Sequence, residues 1–222
     1  MDTAFTPYDE YSEYSRLFLS CLPPTFLLDV PKIIRESTLL AFKRDTELLQ
    51  GVRRDKYPID RRALIETGLY NLATRYDGVH AVERKNAGNN YSHVELICRR
   101  LVLIPAAVES PGDMIRHAVY RHSLALNPQQ AFAGMSDDTI VGDALLGVVL
   151  YGPSSEYPKR QEAATPGFVI VRFPANDWSC YVEGRVDLLR RLTEHEKSLE
   201  KDRETVESPV AVQPVAVTQE IS

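Results

Sequence analysis

The chain has 222 residues, 44% hydrophobic and 26% charged, with a formal net charge of −5, which allows one sizeable core and not several. From Glu194 onward seven acids face three bases, so this end carries −4 and residues 1–193 sit near −1. That near-neutral body excludes a dedicated duplex-DNA binder, which needs a clear basic excess; the longest apolar run, 144–151, is too short for a membrane-spanning helix.

Residues 1–9 read as flexible; Tyr8, Tyr11 and Tyr14 recur every third residue and predict one side of a short helix running to about Leu22. Pro23-Pro24 ends it. Asp29-Val30-Pro31 predicts the start of a second helix with Ile33, Ile34, Leu40, Ala41, Leu48 and Leu49 inward and Gly51 at its end. Arg53-Arg54-Asp55-Lys56 then reads as a solvated link. Pro58 opens a third helix with Ile59, Ala63, Leu64, Leu69, Leu72, Ala73 and Tyr76 near helical spacing, closed by Asp77-Gly78.

Residues 79–84 and 91–98 alternate with period two around the turn 86–90, Asn-Ala-Gly-Asn-Asn, and predict a β-hairpin. A third, strongly apolar strand follows at 101–104. Ser110-Pro111-Gly112-Asp113 starts a helix with Met114, Ile115, Ala118, Val119 and Leu126 inward, stopped by Asn127-Pro128. Residues 128–143 read as a surface loop. Two more apolar strands, 145–151 and 168–173, are joined by a long proline-bearing loop. Asp177 predicts the cap of a last helix, 178–192, continued by a charged rod at 194–207 and a disordered tail.

The expected fold is therefore α+β: a mostly antiparallel sheet of about five strands, helices before it, one between strands three and four, and one at the C-terminus. The domain spans 10–193, and 194–222 is an extension. Cys21, Cys98 and Cys180 are widely spaced and odd in number, which suits reduced thiols in a cytosol, and the acidic N-terminus lacks the basic start of a signal peptide. The expected location is cytoplasmic.

Chemistry-bearing patterns are sparse. His93 and Glu95 lie two apart, so a regular strand points both the same way. Their bland assignment is the water-facing side of a half-buried strand. With Asp77, His80 or Glu83 nearby, His93 and Glu95 form a candidate divalent-metal or acid–base group; Asp77 and Glu95 resemble the acidic pair of metal-dependent nucleases, and a nuclease reading takes Asp77, His93 and Glu95 as its catalytic centre. In that family the second acid belongs to a Glu-x-Lys element; here Leu96 and Ile97 follow Glu95, and only Arg99 or Arg100 can stand in for the lysine. Arg116 and His122, with His117 beside the first, give an Arg-x5-His spacing that resembles a class of small helical ribonucleases. Five intervening residues, at ~100° each, place the two off a common face. Gly147 and Gly152 frame a Gly-x4-Gly spacing, but Pro153-Ser154 replaces the lysine a phosphate loop requires.

Basic doublets are the remaining signal. Arg84-Lys85 and Arg99-Arg100 sit at ends of adjacent strands and are expected to meet as an electrostatic patch. The preferred function is non-enzymatic: a macromolecule-binding regulatory protein of a bacterium or phage, using Tyr8, Tyr11, Tyr14 and Phe18 as interface contacts and Arg84, Lys85, Arg99 and Arg100 as the patch. Its expected partner is another protein, then nucleic acid, with no membrane, cofactor or metal. Self-association through Leu188, Leu192 and Leu199 is a further option. The rivals are a nuclease centred on Asp77, His93 and Glu95, and a structural assembly subunit.

Overall fold

A computed structural model describes residues 12–85, 91–115, 121, 145–154, 164–175 and 177–207. Among them the elements run α1 (Glu13–Cys21), α2 (Pro24–Asp45), α3 (Gln50–Ala73), β1 (Val79–Lys85), β2 (Ser92–Cys98), β3 (Leu101–Ala107), β4 (Leu145–Gly152), β5 (Phe168–Pro174), β6 (Tyr181–Asp187) and α4 (Leu188–Glu207). The α+β class holds, with N-terminal helices and a C-terminal helix. The sheet has six strands in sequence order, one more than expected.

The extra strand is β6, which replaces the first part of the expected last helix. Residues 181–187 carry a period-two pattern in which Val182, Gly184 and Val186 fall on one face, and glycine weakens any helical alternative. The helix begins only at Leu188, where Asp187 Oδ1 accepts from the Arg190 backbone amide at 2.9 Å. Asp177 instead closes a tight turn, accepting from Ser179 N at 3.0 Å and Ser179 Oγ at 2.7 Å.

The helix boundaries also shift. Ser12 caps α1, accepting from Ser15 N at 3.1 Å. Pro24 then supplies the first turn of α2, so Pro31 lies inside that helix rather than at its start. Likewise Pro58 lies inside α3, and the expected link 53–56 is helical. Proline in a helix interior removes a hydrogen bond; here Tyr57, Arg61, Ile65, Leu69 and Leu72 are buried along α3, and that burial offsets the loss. Ile33 meets Gly68 where α2 crosses α3, so closely that a Cβ at 68 would lie 2.6 Å from Ile33 Cγ2.

All strand pairs are antiparallel except β3–β4, which is parallel. A parallel neighbour cannot be joined by a tight hairpin, and residues 108–144 connect the two strands. The sheet is buried on both sides. Phe18, Phe26, Val30, Ile34, Ile65 and Leu69 from the helices meet Leu96, Leu103, Val149, Val171 and Val186 on one face. Ile97, Val102, Ile104, Val148, Leu150 and Ile170 line the other, with Val108 and Ile115 from the start of the crossover. Burial on both faces explains the unbroken apolar runs of β3, β4 and β5. The hairpin turn 86–90, the loop 128–143, most of the helix expected between the third and fourth strands, and the tail 208–222 lie outside the described residues.

Candidate functional site

His93 and Glu95 do share a face of β2, but the face is not wet. Each is 3% exposed, on the face of β2 that also carries the buried Ile97. The water-facing assignment is therefore corrected. His93 Nε2 lies 3.0 Å from Glu95 Oε1, and Arg84 Nε donates to Glu95 Oε2 at 3.4 Å. Register explains the third member: Arg84 sits opposite His93 on β1, diagonal to Glu95, within reach of a long side chain. The carboxylate thus joins an imidazole and a guanidinium inside the protein, which satisfies a buried acid.

Asp77 does not join them. It is exposed in the turn before β1, beyond the end where Val79 pairs with Cys98, whereas Glu95 pairs with Val82. The strand from Val79 to Val82 alone spans about 10 Å, and Asp77 lies beyond it. Among the described residues, no group of three His, Cys, Asp or Glu side chains is placed to hold a metal ion.

The basic doublets also stay apart. Antiparallel pairing sets Lys85 against Ser92 at one end of the hairpin, while Arg99 and Arg100 follow Cys98 at the other, about 20 Å away along the strand. Arg99 takes a left-handed conformation (φ 53°) in the β2–β3 turn, and its Nη1 donates to the Ser20 carbonyl at 3.1 Å. Of the aromatic contacts expected at an interface, Tyr8 and Tyr11 lie outside the described residues. Phe18 is fully buried against Phe173, which corrects its assignment. Tyr14 is 41% exposed and stacks on Phe173. Leu188 and Leu192 are core residues, which leaves only Leu199 exposed for self-association. Arg116, His117 and His122 lie outside the described residues; the Arg121 carbonyl accepts from Trp178 Nε1 at 2.7 Å.

Two features of α3 were not foreseen. On its inner side Arg61 is 3% exposed, with its guanidinium carbon 5.3 Å from the Tyr57 ring centre and 5.6 Å from that of Tyr151. Two π faces and the Tyr57 hydroxyl hold this buried cation. Burial pushes the Tyr151 hydroxyl up to about 12, an effect that Arg61 opposes. Close by, the buried Asp45 accepts from Lys56 Nζ at 3.0 Å.

The outer side of α3 carries four exposed apolar residues on one stripe. Val52 is 51% exposed, Ile59 59% and Tyr70 41%, and Ala63 is exposed between them. At ~100° per residue the four fall within about 40° of one another, directly opposite Arg61. Leu49, at the N-cap, extends the row. Ile59 and Ala63, read from sequence as inward, therefore face out, as do Leu40 and Leu49. The spacing of seven, four and seven was visible, but a charged Arg61 on the other side disguised which stripe is the core. No family model, curated protein or solved structure matches this chain.

Proposed function

We propose that this chain works by binding another protein through the outward face of α3, in a regulatory rather than a catalytic role. The observation that carries this reading is the exposed row Val52–Ile59–Ala63–Tyr70. Scattered exposed apolar residues are ordinary on a protein surface, whereas four that share one stripe of a helix suit a contact surface. A helix presenting anchors at one-turn and two-turn spacing is also a recurrent recognition element. In support, Glu95 is already engaged by His93 and Arg84 inside the fold, and Asp77 stands away from both.

The test is affinity purification of the tagged full chain from its own host, beside Ile59→Asp and Tyr70→Asp. Both positions are exposed, so the variants should fold and melt as the parent does. A protein retained by the parent and lost from both variants is the expected result. Equal recovery in all three would overturn the reading, as would nuclease activity on labelled RNA or DNA that disappears in a folded His93→Gln variant.

A further inference from the structure

We propose that the inner side of α3 binds a phosphate group, free or as a monoester, between Arg53, Arg61 and Asp45. This site lies opposite the exposed apolar stripe and does not depend on what that stripe contacts. Its ground is a set of buried polar atoms without partners. Arg53 Nε and Nη2, Arg61 Nε and Asp45 Oδ2 are all buried, and none has a hydrogen-bond partner among the described residues. Asp45 is 0% exposed and Arg61 3%. Buried polar atoms are almost always satisfied, so four of them around one helix point to a ligand that satisfies them.

Helical spacing gathers these groups. Arg53, Tyr57 and Arg61 are four apart and share one face of α3, while Phe42 and Asp45 are three apart and share one face of α2. The Arg53 guanidinium carbon lies 4.5 Å from the Phe42 ring centre, and that of Arg61 lies over the Tyr57 ring. Burial pushes the Tyr57 hydroxyl above its ordinary value; Arg61 and Arg53 oppose that shift and Asp45 adds to it, so all three charges act on one hydroxyl. The nearby carboxylates are engaged elsewhere: Asp45 Oδ1 and Asp60 with Lys56, Glu66 with Arg62. Arginine keeps its charge in any surroundings, and the tyrosine rings that flank Arg61 do not neutralise it. Two guanidinium groups and one carboxylate oxygen therefore remain to be matched. The guanidinium groups donate to anionic oxygens, whereas Asp45 Oδ2 only accepts and needs an O–H from the ligand. A protonated phosphate offers both. Sulfate carries no proton at neutral pH and sets a lone pair against Asp45.

Calorimetric titration of the full chain with inorganic phosphate, up to about 10 mM at constant ionic strength, should show saturable binding to a single site. Sulfate should bind about tenfold more weakly or worse, the cost of one hydrogen bond to a charged group. Methyl phosphate separates the two sources: binding tighter than inorganic phosphate assigns the site to a monoester, and weaker binding assigns it to the free ion. Arg53→Gln, at a half-buried position, should lose phosphate at unchanged helicity. Asp45→Asn, whose amide also donates, should erase the preference for phosphate over sulfate. The comparison of the two anions in the parent stands even where a variant fails to fold. A parent that binds no phosphate overturns the proposal and leaves the four atoms to ordered water. Equal affinity for the two anions also overturns it, as does full phosphate affinity in folded Arg53→Gln or a preference that survives in folded Asp45→Asn.

Discussion

The two faces of the sheet are both buried but are built differently. Toward the helices, apolar side chains from α1, α2, α3 and α4 interlock with alternate residues of all six strands. Charge enters that layer at its margin, where Arg61 lies between Tyr57 and Tyr151. On the crossover side an apolar centre on β3 and β4 is flanked by polar groups. His93, Glu95 and Arg84 occupy the β1–β2 flank. Arg172, Arg185 and Asp187 occupy the β5–β6 flank, with Arg172 opposite Arg185 in register and its guanidinium 5.1 Å from the Tyr181 ring centre. The lesson is that long helices cover one face evenly with hydrocarbon, whereas the margins of the other face are closed by ion pairs. Stability should therefore reside in volume on one face and in charge pairing on the other.

Removing volume from the helix face should have the largest effect. Phe18→Ala empties a fully buried site against Phe173 and should lower stability by about 4 kcal/mol, read from chemical denaturation. On the other face Glu95→Ala removes the buried carboxylate that Arg84 and His93 share and should cost about 3 kcal/mol, while Glu95→Gln, which keeps the shape, should cost about 1 kcal/mol. Equal losses for Ala and Gln would show that shape and not charge matters there. The seam between α1 and β6 comes next. Gly184 has φ 124°, and a Cβ there would lie 2.5 Å from Ser12 Oγ, so Gly184→Ala should cost about 2 kcal/mol.

Alkali gives a subtler contrast, because a tyrosine marks each face, Tyr151 fully buried and Tyr181 partly buried. Burial pushes Tyr151 and Tyr181 up to about 12, whereas in the unfolded chain tyrosine ionises near about 10. The folded state keeps protons that the unfolded state releases. The stability held below pH 10 should therefore be lost as pH rises toward 12. Tyr151→Phe should flatten that decline in melting curves. At neutral pH the smallest effect concerns thiols. Burial, reinforced by Cys21, raises the Cys98 thiol to about 11, so a thiol reagent at pH 8 should modify exposed Cys180 first and Cys98 only on unfolding.

Much of the fold was legible because its signals are local. Period-two alternation marked β1 and β2, and continuous apolar runs marked β3, β4 and β5. β6 was legible too, in Val182, Gly184 and Val186, but leucines at 188, 189 and 192 lent a helical rhythm that outweighed it. Prolines misled for the opposite reason. Pro31 and Pro58 are strong local signals that tertiary burial of the same helices overrode. At the site, the spacing of His93 and Glu95 placed them together correctly, whereas Asp77 was judged by nearness in sequence and the basic doublets by ending adjacent strands, and antiparallel register sets the last residues of successive strands at opposite ends of the hairpin.

By itself the sequence determined the α+β class, the hairpin, the side-by-side placing of His93 and Glu95, and the amphipathic spacing along α3, since each depends only on backbone periodicity. Only the tertiary structure decided that the polar pair is buried, that β3 and β4 run parallel, and that Arg61 points inward while Ile59 and Tyr70 face out. Those outcomes depend on which surface is covered by a segment distant in sequence, and local periodicity cannot specify what packs against it.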